Sequence, residues 1–509
     1  MRATLSPRHI LAHDLGTTGD KATLFDVDGS IVASAFASYS TSYARPNWAE
    51  QNPADWQAAL IGTTRQLLAS PGVEPGAVAV VSFSGHMNGA LPVSAGGAPL
   101  RPAILWADQR ATLQANFIRE RCGEAETYRL TGNRVSPAYT AAKLLWIKDN
   151  EPDIYRLTHK LLQAKDYAAY WFSGVMATDY SDASLTQLFD LTARRWSEPM
   201  LSQLDLNADL LPPVYPAATV IGRVTREAAS QTELRAGTPV VIGGGDGGCA
   251  TVGAGSVRHG DVYNYIGSSS WVALSTRLPV LDPQQRTFNF IHLDPELNVA
   301  LGTMQTAGGA FDWLERLVRA ENLTEPQYRA LDEAACQAPP GSRNLLFLPY
   351  LMGERSPHWN PLARGAFVGL AMSHGRAEMT RAVMEGVAFN LRSILDVLRS
   401  QGVSLEAMRL IGGGAKSSLW RQILADIYGL PVQQLGLSAQ ATALGAAIAG
   451  GVGVGIYPDY TVARTLTPVR AVNYPDPATR ERYEAMYTLF KETYVALAPV
   501  FERLAEIPV

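Results

Sequence analysis

Acidic and hydroxyl side chains set among glycines recur along this chain, and each place suits a part of phosphate or proton chemistry. In Asp14-Leu15-Gly16-Thr17-Thr18-Gly19 a glycine turn leaves backbone N–H groups free to face a phosphate, and the threonine hydroxyls add donors. A carboxylate at the end of the preceding strand suits Mg2+, held directly or through water beside phosphate oxygens. An ordinary glycine hairpin closed by an Asx turn has the same pattern. Gly267-Ser268-Ser269-Ser270 is a second such turn. Paired with the first it can clasp a polyphosphate from the opposite side; alone it is one more Gly-Ser hairpin.

The stretch VVIGGGDGGCATVGAGS, 240–256, runs an apolar strand into three glycines and Asp246. Glycine and small neighbours neither shield nor pair a carboxylate in a core. At a strand end beside a cleft, Asp246 can instead accept the proton of an attacking hydroxyl. Gly243, Gly245 and Gly248 also spell G-x-G-x-x-G, but Asp246 would then repel a pyrophosphate. The strand also opens no βαβ unit with an acidic residue about 20 positions on. In LIGGGAKSSLWRQILADIYG, 410–429, a strand ends at Gly412, Gly413 and Gly414, and a helix starts near Ser417 or Ser418. Leu419, Ile423, Leu424 and Ile427 form its apolar face. The glycines permit close approach of a flat ligand such as adenosine, while a serine-capped helix after a tight loop accounts for the same residues. His86, Met87 and Asn88 in GHMNG, with Trp106, Asp108 and Arg110 in ILWADQR, suit a polyhydroxylated ligand if the two segments meet. Taken singly, a histidine or tryptophan is more often structural.

Two units must position these residues. From His9 the order is strand, glycine turn, strand, Asp28-Gly29 turn, strand, followed by an amphipathic stretch over 53–68 and an apolar strand over 77–83. A second unit starting near residue 255 repeats the strand–turn–strand theme in GDVYNYIGSSSWVALS, which suggests duplication. Strands alternating with helices, among them one over 377–400, predict an α/β fold. The segment 475–505 has helical spacing and is expected to pack back on the body.

The 509 residues hold 43 Lys and Arg against 47 Asp and Glu, a net charge of −4. No basic block stands out, which argues against a nucleic-acid or membrane surface. Cys122, Cys249 and Cys336 have no metal-ligand spacing and fit a reducing compartment. No signal peptide and no membrane span is expected, so a cytoplasmic protein is predicted.

Together these segments resemble the FGGY family of carbohydrate kinases, most closely its xylulokinase branch. The resemblance also covers TAAKLLWIKDN (140–150), KDYAAYWFSG, TDYSDAS, FLPYLMGERSPHWN and GAFVGLAMSHGRAEMTRAVME (365–385). It implies two actin-like, RNase H-like domains around a central cleft: 1–252 for the sugar and phosphate hairpin, 253–460 for the nucleotide, and a helical segment 461–509. By position it makes Asp246 the catalytic base and Asp14 the Mg2+ residue. ATP and its phosphates fall to Gly16, Thr17, Thr18, Lys21, Gly267, Ser268, Gly308, Gly412, Gly413, Gly414, Ala415 and Ser418. The sugar falls to His86, Met87, Asn88, Trp106, Asp108 and Arg110. The implied reaction is phosphorylation of D-xylulose to D-xylulose 5-phosphate by ATP, with another pentulose, a polyol or a sugar acid as alternatives and a homodimer as the assembly. His86-Met87-Asn88 stands where the branch usually has Gln-Met-His, Gly247 and Ala107 where it usually has Asn, and Ala138 where Gly, Ser or an aromatic is usual. An NAD(P)-dependent oxidoreductase and a non-catalytic ATP sensor are the competing readings.

Overall fold

Runs of Val, Ile, Leu and Ala between glycine turns form two seven-stranded sheets, each built around the same strand–turn–strand unit. The structure, a computed structural model, describes residues 8–319, 325–437 and 440–507. The first sheet contains β1 (His9–Leu15), β2 (Gly19–Asp26), β3 (Ile31–Ser38), β4 (Val78–Gly85), β5 (Val220–Arg223), β6 (Pro239–Val241) and β7 (Gly244–Gly245). Its order is β5-β6-β4-β1-β2-β3, with β7 also on β4. β1 is antiparallel to β2 and parallel to β4. Both faces of β1 are covered, so its apolar residues Ile10, Leu11, Ala12 and Leu15 do not alternate with exposed ones, as expected of a strand buried on both sides. One face is covered by α1 (Pro53–Leu68), started by Asn52 as N-cap with Pro53 at its first position, and by α2 (Ala164–Ser173). α3 (Asp246–Gly253) follows β7 directly.

The second sheet contains β8 (Val262–Ile266), β9 (Ser270–Thr276), β10 (Phe288–Ile291), β11 (Asn298–Met304), β12 (Met408–Ile411), β13 (Val432–Leu435) and β14 (Val469–Asn473), in the order β10-β11-β9-β8-β12-β13-β14. The helices that follow its strands in the chain include α4 (Gly308–Arg319), α5 (Arg376–Arg399), α6 (Ser418–Tyr428), α7 (Ala441–Gly453) and α8 (Arg480–Ala505). α8 buries Tyr483, Met486, Tyr487 and Phe490 against the core around α5, each worth about 1.5–3 kcal/mol if fully buried. The chain beyond residue 460 is more than a helix, because β14 pairs antiparallel with β13 and extends the second sheet. The helical pattern of 475–505 carried no sign of that edge strand, whose exposed side chains give little apolar alternation.

α7 joins the halves. Although it follows the second sheet's strands, it packs on β1, β4 and α3. A Cβ added at Gly253 would fall 1.8 Å from the Ala441 carbonyl, and one at Gly445 would fall 2.0 Å from that of Cys249. Only glycine lets the two helices touch backbone to backbone. No helix among the described residues is long and apolar enough to cross a membrane.

Candidate active site

Strand register assembles the site. Asp14 pairs with Ser84, and Ser84 pairs with Gly244. The residues that follow (Gly16, His86 and Asp246) therefore leave one edge of the sheet together, at the carboxyl ends of parallel strands where α/β folds hold ligands. In the second sheet Tyr265 pairs with Ile411, so the turns at Gly267 and Gly412 emerge side by side in the same way.

Three side chains anchor the first turn. Tyr39 donates its hydroxyl to the Gly16 carbonyl at 2.6 Å, Gln51 donates to the Thr17 carbonyl at 2.7 Å, and the Trp106 indole donates to Thr17 Oγ1 at 3.1 Å. Trp106 thus ties the expected sugar segment to the expected phosphate turn. Asp14 accepts from Thr442 Oγ1 at 2.6 Å, a contact from the start of α7. Burial pushes the Asp14 carboxyl above its ordinary range, and the Thr442 hydrogen bond pulls against it.

Asp246 opens α3, and the Gly247 N–H donates to its Oδ1 at 2.7 Å. Burial, then the nearby charge of Asp14, push its carboxyl up to about 7. A carboxylate poised there is matched to taking a proton near neutral pH. The surrounding glycines are sterically required. A Cβ would fall 1.9 Å from the Phe83 carbonyl at Gly243, where φ is +68°, and 2.4 Å from Met87 at Gly245. These contacts account for the glycines of the dinucleotide pattern without a pyrophosphate. At Gly247 a Cβ would sit in ordinary contact, 3.4 Å from Phe290, so that departure from the family pattern has no steric cause here.

The second turn is docked on α4. Gly308 and Ala307 donate their N–H groups to the carbonyls of Gly267 and Ser268 at 2.9 and 2.8 Å. Beside it opens a cavity of about 390 Å³ lined by Gly267, Ser268, Gly308, Gly413, Gly414 and an aromatic wall. In that wall Phe311 stacks with Tyr328 and Trp420 at 6.1 and 5.9 Å. Gly412 has φ +87° and lies against the Ile266 carbonyl, whereas a Cβ added at Gly413 would meet nothing closer than 4.0 Å. Ser417, not Ser418, caps α6 and lines the cavity; Ser418 is the first helical residue, and Ala415 is buried behind the wall.

On the other side of Asp246, Met87 packs beneath Gly245 and Gly247. Both ring nitrogens of buried His86 and the Oδ1 of Asn88 lack a protein partner. Burial and the charge of Lys143 pull His86 down to about 4, so its ring is neutral. Asn88 sits at φ +62°, and Lys143 Nζ donates to its carbonyl at 2.6 Å and to that of Ala138. Asp108 and Arg110 depart from expectation, because both side chains turn inward and are 1% exposed. Asp108 accepts from the Ala49 N–H at 2.6 Å and from Arg110 at 2.7 Å, and Arg110 stacks on Trp48 at 3.5 Å. Their polar atoms are already engaged, so they brace the segment carrying Trp106.

The residue pattern alone passed over Thr442, Phe311 and Trp420. Thr442 hides in an alanine-rich run, and the two aromatics sit at helical spacings that read as core.

Comparison with known families covers most of the chain: residues 9–253 match the N-terminal domain, and 262–454 the C-terminal domain, of the FGGY family of carbohydrate kinases. The chain belongs to that family. An FGGY kinase transfers phosphate from ATP to a carbohydrate, and the two mixed sheets are the actin-like fold of the family. The chain is 34% identical to the xylulose kinase of Escherichia coli (strain K12), over 96% of its own length and 99% of that protein's. It is 31% identical to the gluconokinase of Bacillus subtilis (strain 168), over 87% of each. The crystal structure of ligand-bound xylulose kinase from Lactobacillus acidophilus superposes with a TM-score of 0.91 at 27% identity, covering 97% of this chain and 99% of that one.

Proposed function

We propose that this FGGY kinase phosphorylates a ketopentose, D-xylulose giving D-xylulose 5-phosphate, with Asp246 as general base. The observation that carries the reading is the placement of Asp246, which opens α3 at the strand ends shared with Asp14 and sits against Met87 of a loop whose His86 and Asn88 polar atoms lack protein partners. In this reading the sugar lies against His86, Met87 and Asn88. Its hydroxyl gives its proton to Asp246 as it attacks the γ-phosphorus, and the bond to the leaving ADP oxygen breaks. Gly16, Thr17, Thr18 and Lys21 face the phosphates from one side, and Gly267, Ser268 and Gly308 from the other. Adenosine occupies the cavity at Gly413 and Gly414.

Asp14 fits a Mg2+ role, being a carboxylate whose burial strains its charge and whose hydrogen-bonding side chain, Thr442, is a neutral hydroxyl. No cluster of three His, Cys, Asp or Glu among the described residues forms a metal cage, in keeping with an ion that takes most of its ligands from phosphate and water. When bound, Mg2+ offsets charge on the transferring phosphoryl oxygens. The Lys143 amine, pulled down to about 7 by burial, donates to two carbonyls, which favours a neutral sugar end over a carboxylate at the His86–Asn88 loop. The gluconokinase relative and the Asn88 departure support a second reading, a sugar acid as substrate. We place the protein in the cytoplasm, as a homodimer, with domains divided at 252/253 and the segment after 460 belonging to the second domain.

The test is ADP release from Mg-ATP with a panel of pentuloses, hexuloses, polyols and sugar acids, with Asp246→Ala alongside. D-xylulose turnover, lost by about 10²-fold or more in the variant, supports the reading. Turnover of gluconate in its place supports the second, and ATP binding without turnover of any sugar indicates a sensor.

A further inference from the structure

Behind the active site lies a sealed ionic cluster that the mechanism does not use. Lys165 Nζ sits 2.7 Å from Asp166, 3.2 Å from Asp179 and 3.2 Å from Asp182, and none of these side chains is more than 1% exposed. Buried ion clusters are seldom a source of stability, since apolar replacements of similar volume are often neutral or better. What they supply is direction, because each hydrogen bond fixes the orientation of the group it reaches.

Two loops hang from this cluster. On one side Asp179 Oδ2 accepts from both the N–H and the hydroxyl of Ser181, at 2.8 and 2.6 Å. The single hydroxyl hydrogen of Ser181 is therefore committed, and its lone pair accepts the Gly245 N–H at 2.9 Å. Gly245 immediately precedes Asp246 and forms the N-cap of α3. On the other side Gln163, held at the start of α2 by Asp166, accepts the Gly89 N–H at 3.2 Å and donates to the Asp182 carbonyl at 3.1 Å. Gly85 packs on the Lys165 Cβ, with room for no side chain.

We infer that Ser181 is a positioning residue for Asp246, and that the Lys165 cluster holds the catalytic carboxylate and the His86–Asn88 loop in one register. The inference rests on the reading of Asp246 as the base. Near-attack geometry is unforgiving, and a misplacement of about 1 Å costs on the order of 10²-fold in rate.

Ser181→Ala should lower kcat by about 10- to 100-fold, leave the KM for ATP within about twofold, and speed amide hydrogen exchange at Gly245. Ser181→Cys, whose thiol fills the space but accepts weakly, should move each quantity less in the same direction, and it serves in place of an alanine variant that does not fold. The control is Ser184→Ala on the same short helix. It removes a buried hydroxyl bonded to the Ser181 carbonyl and the Ile291 N–H and should lower the melting temperature with kcat nearly unchanged. Wild-type kcat in folded Ser181→Ala, an equal kcat loss in both alanine variants, or unaltered Gly245 exchange would overturn the inference. The exchange measurement does not depend on which sugar is turned over. Failure of the wild-type protein on the sugar panel would count against the substrate reading alone.

Discussion

The two sheets share one plan, yet they carry different chemistry at the matching place. In each, a first strand runs through a glycine turn into an antiparallel second strand and lies parallel to a later one, the fourth strand of the first sheet and the fifth of the second. Asp14 stands two residues before Gly16. The same place before Gly267 is Tyr265, stacked on Trp271 with ring centres 4.0 Å apart. The loops after the parallel neighbour differ likewise: the first sheet has His86-Met87-Asn88, and the second has three bare glycines. A turn offers backbone N–H groups to a phosphate from either side, so that feature bears duplication. The reacting centre needs carboxylates once. Tyr265 already feels the charges of Asp246 and Asp14, and a third carboxylate there would oppose both, as like charges held close in a buried site do.

Replacing Asp14 by Asn tests this asymmetry most severely. Activity should fall by about 10²-fold, and the acidic limb of kcat/KM should move below 7, because the Asp14 charge is what helps hold Asp246 high. The sign follows from the base being active only when deprotonated. An unmoved limb would break the claim that the first sheet's two carboxylates act as a pair. Thr442→Val sharpens it. Losing the hydrogen bond that lowers the Asp14 carboxyl should cut activity about two- to tenfold at about pH 6, with recovery as pH rises. A loss of the same size at all pH values would mean that Thr442 supports only the packing of α7. Trp106→Phe gives the smallest effect. Without the bond to Thr17, the KM for ATP should rise about two- to fivefold and the melting temperature should hold, as thermal unfolding will show.

Much of the site was legible in the residues because glycine and acid side chains carry local meaning. Gly243, Gly245 and Gly412 stand where a Cβ would strike backbone or a packed side chain, so their pattern reported real turns. Asp246 stood out because nothing beside it in the chain shields or pairs it. Local pattern failed where a partner comes from far away. Asp108 and Arg110 looked like ligand contacts until Ala49, Glu50 and Trp48 were seen to engage them. Thr442 reaches Asp14 across 428 positions of chain, and β14 has no alternation to announce it.

The order of apolar runs and turns in the chain was enough to specify two α/β units, their glycine turns and the acids Asp14 and Asp246 at strand ends of the first, because these rest on neighbours within a few residues. The raised carboxyl of Asp246 and the inward turn of Asp108 came from folding. Burial, a second carboxylate and a hydrogen-bond partner are properties of the space around a residue, and here that space is filled by segments from tens to hundreds of positions apart.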